Sequence, residues 1–67
     1  MSVNNRLKEI RIQQNLSQQD LADAIGSCRH TISRIERGER NPSLEMALLM
    51  SQFLEVPVET LFTLAPC

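Results

Sequence analysis

Apolar residues recur at Val3, Leu7 and Ile10, an i, i+4, i+7 spacing that lays them along one face of a helix. This predicts a first helix over about Asn5–Gln14, closing at Asn15, a residue that tolerates left-handed backbone. Ser17 then offers an N-cap oxygen, with Asp20 as the weaker partner of a capping box. Leu21, Ala22 and Ile25 make the inner face of a short second helix that stops at Gly26. Periodicity resumes almost at once with Thr31, Ile32 and Ile35 and ends at Gly38, so the middle of the chain reads helix, tight turn, helix. Asn41-Pro42-Ser43 is turn chemistry with an N-cap at Ser43, and the strongly apolar stretch Leu44–Leu54 predicts the main core helix. Pro57 suits the first turn of a fifth helix, with Val58, Leu61 and Phe62 facing inward, and the tail after Leu64 is expected to fray.

Length adds a constraint to this all-α reading. A chain of 67 residues holds one domain, residues 1–67 with a core over about 5–64. A domain of that size buries only about 60% of the surface its unfolded chain exposes, so a partner subunit would help. With two phenylalanines and no Trp or Tyr, the core is aliphatic. Cys28 and Cys67 lie far apart beside a single histidine, which indicates neither a zinc site nor a disulfide framework and suits a reducing cytoplasm. No apolar run approaches the roughly 18 residues of a membrane span, and the N-terminal stretch lacks a signal-peptide core. The chain carries no Gly-rich phosphate loop, no metal-ligand cluster and no nucleophile beside a base, so neither an enzyme nor a cofactor or metal is expected.

Net charge at −1 would argue against a nucleic-acid partner, but the charges are segregated. All seven Lys and Arg fall in residues 1–40, whereas Glu45, Glu55 and Glu59 stand in residues 41–67 with no base. The third helix concentrates the positive end. At about 100° per residue, Arg29, Ser33, Arg37, His30 and Arg34 share one polar arc, and Thr31, Ile35 and Ile32 fall on the opposite side. Such an arc is either the solvated side of a short helix or a surface that reads a major groove. A groove about 12 Å wide admits one α-helix, and an arginine fork can bond guanine O6 and N7, with Arg29 and Arg34 the best placed.

The segments Asn5-Arg6-Leu7-Lys8-Glu9-Ile10-Arg11, Leu16-Ser17-Gln18-Gln19-Asp20-Leu21-Ala22, Thr31-Ile32-Ser33-Arg34-Ile35-Glu36-Arg37-Gly38 and Asn41-Pro42-Ser43-Leu44 decide between them. Together they resemble the Cro and phage-repressor type, also called the xenobiotic-response-element family, over residues 5–62. The resemblance implies a compact five-helix lambda-repressor-like domain whose helix-turn-helix is made by helices 2 and 3, with helix 3 in the major groove. It implies base contacts from Arg29, His30, Ser33 and Arg34, and phosphate contacts from Arg37, Arg40 and Asn41. Gln18, at the start of helix 2, would contact phosphate or brace Arg29. Arg11 sits at the edge of the inner stripe of helix 1 and needs a partner, and the family pairs it with Glu36 as a partly buried ion pair.

Three positions depart from the family pattern. Cys28 replaces the usual capping Ser, so the third helix lacks its hydroxyl unless the cap shifts to Ser27. Cys28 itself is a redox-sensitive thiol or a small half-buried side chain. Glu55 stands where Gly is frequent and is mildly strained if that position needs positive φ. Met46, Leu49 and Phe53 make an apolar stripe where polar residues are common; with Leu64 they form either a two-fold dimer contact, the favoured reading, or a wider core under the C-terminal tail. These features together predict a homodimeric regulator of transcription, most simply a repressor, on palindromic double-stranded DNA. The competing reading is a protein-interaction module, such as an antitoxin or antirepressor, that uses the stripe.

Overall fold

The computed structural model describes residues 3–64, so Cys67 lies outside the described residues. Its elements run β1 (Val3–Asn5), α1 (Leu7–Gln13), α2 (Gln18–Ile25), α3 (Arg29–Glu36), α4 (Leu44–Leu54), α5 (Val58–Leu61) and β2 (Phe62–Leu64). Five helices enclose a core in which Leu7, Leu21, Ile32, Ile35, Met50, Leu54 and Leu61 are fully buried. Each such side chain contributes about 1.5–3 kcal/mol on removal from water. The architecture is the lambda-repressor-like one, with α2 and α3 as its helix-turn-helix. Among the described residues no helix is long and apolar enough to cross a membrane.

The chain's beginning corrects the expected helical start. Val3–Asn5 pairs antiparallel with Phe62–Leu64, with Val3 opposite Leu64 and Asn5 opposite Phe62. The Asn5 side chain explains the break. Its Oδ1 accepts from the Leu7 N–H at 3.3 Å and its Nδ2 donates to the Ile35 carbonyl at 2.9 Å, a local alternative that competes with helical backbone. Val3 therefore belongs to a strand and not to the α1 face, and Phe62 follows α5 in extended backbone at φ −132°.

Four helices end on the same device. Asn15, Gly26, Gly38 and Glu55 all take positive φ, at 60°, 70°, 77° and 58°. The following N–H of Leu16, Ser27, Glu39 and Val56 returns to the carbonyl of Arg11, Ala22, Arg34 and Ser51 respectively, the six-to-one bond of a Schellman cap. Glu55 thus occupies a left-handed position that a Cβ disfavours. At the helix starts, Ser17 and Asp20 exchange reciprocal bonds of 2.9 Å as a capping box, and Ser43 Oγ accepts from the Met46 N–H at 3.1 Å.

Candidate nucleic-acid interface

The turn Gly26–Cys28 sets α3 against α2. Its left-handed Gly26 and the 2.8 Å bond from Ser27 N–H to Ala22 O end α2 and redirect the chain within three residues. Ile32 and Ile35 then anchor α3 in the core, fully buried, with Thr31 half-buried beside them. The opposite side of the same helix is therefore fixed in orientation. Arg29, His30, Arg34 and Arg37 are exposed and Ser33 is half-buried on that side.

The arginines of this arc are not alike. Arg37 Nη1 lies 3.3 Å from Glu39 Oε2 and its Nε donates to the Ser33 carbonyl at 3.4 Å, so its charge is partly answered within the α3 C-terminus. Among the described residues Arg29 and Arg34 form no ion pair, which leaves both guanidinium forks available to a partner. Arg40 and Asn41 continue the exposed surface past the Gly38 turn.

Behind that surface, Arg11 and Glu36 meet with an Nε to Oε2 distance of 2.7 Å and a second contact from Nη2 to Oε1 at 3.3 Å. Their side chains are 10% and 3% exposed, so the pair is shielded from solvent. Arg11 Nη1 also donates to the Leu16 carbonyl at 2.7 Å, fixing the residue just ahead of the Ser17 cap. Gln18 joins the group by donating from Nε2 to Glu36 Oε1 at 2.9 Å. Among the described residues Gln18 forms no hydrogen bond with Arg29; its amide turns to the last residue of α3 instead of the first.

The N-cap of α3 is Cys28 itself, with extended backbone (φ −116°, ψ 156°), so the cap does not shift to Ser27. No side-chain oxygen caps this terminus. The exposed Cys28 Sγ lies 3.2 Å from Thr31 Oγ1, and hydrogen bonding to the Thr31 side chain, then to its backbone, holds the thiol below its ordinary range.

The apolar stripe on α4 divides. Met46 and Leu49 pack partly buried against the core, whereas Phe53 and Leu64 remain 43% and 67% exposed. Sequence reasoning did not single out Leu44 and Leu48, which are 75% and 50% exposed on another side of α4. On a helical wheel they fall between Ser51 on one side and Gln52 and Glu45 on the other, a polar arc that reading α4 as one apolar run passed over. It also missed the Gln18–Glu36 bond, because the reach of two polar side chains across helices leaves no periodic trace.

A short helix seated by two buried isoleucines across a three-residue turn, presenting unpaired arginines outward, defines a helix-turn-helix DNA-binding domain. The Helix-turn-helix family profile matches residues 7–61. The chain belongs to this family, the Cro/C1-type helix-turn-helix transcriptional regulators. It is 43% identical over 58 residues to an uncharacterised HTH-type transcriptional regulator of Methanocaldococcus jannaschii, covering 87% of this chain and 88% of that one. Among solved structures it is similar to the restriction-modification controller protein C.AhdI from Aeromonas hydrophila, with a TM-score of 0.77 and 36% identity over 82% of this chain and 83% of that one. It is also similar to SinR, a master regulator for biofilm formation solved in complex with DNA. That match has a TM-score of 0.75 and 34% identity, and covers 82% of this chain and 89% of that one.

Proposed function

We propose that the protein is a sequence-specific double-stranded DNA-binding regulator that acts as a homodimer on a palindromic operator and represses by occupying it. The observation that carries this reading is the outward arc of α3, where Arg29, His30 and Arg34 are exposed on a helix locked from behind by Ile32 and Ile35. In this reading α3 enters the major groove and Arg29, His30, Ser33 and Arg34 approach base edges. Gln18, Arg37, Arg40 and Asn41 contact phosphate and set the register. The similarity to SinR, whose structure contains DNA, supports a DNA partner. The cytoplasm is where such a regulator would act.

Dimerisation supplies the second half-site. Exposed Phe53 and Leu64 form the contact in this reading, with Met46 and Leu49 as its packed floor. A two-fold axis through them would set two α3 helices about 34 Å apart, one helical turn of duplex.

Selection from randomised duplexes tests the proposal, followed by salt titration of the enriched site for the wild type and Arg34→Ala, with sedimentation of the free protein. The expected result is an enriched palindrome, log K falling by about 0.9 per phosphate contact per decade of salt, and a dimer that Phe53→Asp dissociates. No enrichment would overturn the DNA reading in favour of a protein-interaction module, and a monomer at high concentration would overturn the dimer.

A further inference from the structure

The Glu36 carboxylate receives three N–H donors, two from Arg11 and one from Gln18. Arg11 alone answers its charge. The third donor comes from the first residue of α2, so one buried carboxylate at the end of α3 reaches across to the opposite end of the neighbouring helix. A carboxylate only accepts, so the Gln18 amide must turn its nitrogen inward. One N–H and the carbonyl oxygen of that half-buried amide are then left for a partner. In the first turn of α2 the backbone N–H groups of Gln18 and Gln19 have no partner within the helix, and they add donors beside it.

We propose that Glu36 is a positioning residue for DNA binding. It holds the Gln18 carboxamide in one orientation, so that the remaining N–H meets a backbone phosphate without first losing rotamer freedom. The Arg11–Glu36 pair then governs DNA affinity as well as fold stability. This rests on the reading that the start of α2 lies against the duplex. Immobilising one Gln side chain in advance is worth about three- to tenfold in affinity.

A double-mutant cycle on the selected duplex at fixed salt, with melting curves in parallel, tests the coupling. Glu36→Asp keeps a negative charge near Arg11 but draws the carboxylate back by one methylene from Arg11 and Gln18 alike, so the melting curves report the weakened ion pair and the cycle isolates the part that passes through Gln18. The expected result is a loss of about three- to tenfold from Glu36→Asp alone, and almost none when Gln18→Ala is already present. Equal losses in both backgrounds would mean a purely structural Glu36 and overturn the proposal. Side-chain amide relaxation in the unaltered protein gives a second measurement, with Gln18 expected to be more ordered than exposed Gln13 and Gln52; equal mobility would also overturn it. If Gln18→Ala binds as the wild type does while Arg34→Ala does not, positioning fails and the DNA reading stands. If neither change affects binding, the DNA reading itself fails.

Discussion

Glu55 and Gly26 close their helices with nearly the same backbone, φ 58° and 70°, although only one of them lacks a Cβ. A left-handed L-residue costs about 1–2 kcal/mol, partly offset against glycine by the extra freedom glycine has in the unfolded chain. Glu55→Gly is therefore expected to raise stability by about 0.5–1 kcal/mol, read as a higher urea midpoint at unchanged slope. A lower midpoint would place a stabilising role on the Glu55 side chain.

The start of α3 has no hydroxyl cap, because Cys28 presents sulfur where Ser17 and Ser43 present oxygen at the starts of α2 and α4. Cys28→Ser gives an oxygen acceptor for the Thr31 N–H. The expected gain is about 0.5–1 kcal/mol in thermal unfolding, and Cys28→Ala should show none of it.

Asp20 closes the α2 capping box, and the Ser17 backbone N–H, followed by its side chain, holds the carboxyl below the usual range. A depressed folded-state pKa contributes stability above the unfolded value, about 3.9, and loses it as pH falls through the folded value. The melting-temperature gap between wild type and Asp20→Asn should therefore be constant from neutral pH to about 5 and close below about 4. A gap unchanged at pH 2 would remove the carboxylate from the cap.

Arg11 and Arg34 should separate stability from binding. Removing Arg11 leaves Glu36, 3% exposed, without its countercharge, and Arg11→Ala should cost about 3–5 kcal/mol of stability. Arg34 is exposed and unpaired, so Arg34→Ala should alter melting by less than about 0.5 kcal/mol while reducing discrimination among duplexes by about 1–3 kcal/mol. Parallel melting and binding curves check both, and a large stability loss from Arg34→Ala would contradict the assignment.

The helices were legible in the sequence because their signals are local. Ser17, Ser43, Gly26 and Gly38 mark boundaries by chemistry confined to a few residues, and the structure places caps at each. The arc of α3 was legible for the same reason, since a 3.6-residue period alone separates Arg29 and Arg34 from Ile32 and Ile35. The ribbon was not legible: its strands are three residues each and lie at opposite ends of the chain, so neither carries a detectable alternation. Gln18 was singled out by position, yet its partner Glu36 could be found only once α2 and α3 were placed side by side. Leu44 and Leu48 share the side of α4 that carries Glu45, Ser51 and Gln52, where two leucines among three polar residues blur the boundary of the solvent face.

The pairing of Val3 with Leu64 brings the two ends of the described chain to one corner, where opposed Cα atoms of an antiparallel pair sit about 4.5–5.5 Å apart. The fold is nearly a closed loop in topological terms. A peptide bridge of a few residues could join those ends, and new termini could be opened in the exposed Gly38–Asn41 stretch. Any segment fused before Val3 or after Leu64 would leave from that shared corner, so tags at either end would occupy the same space.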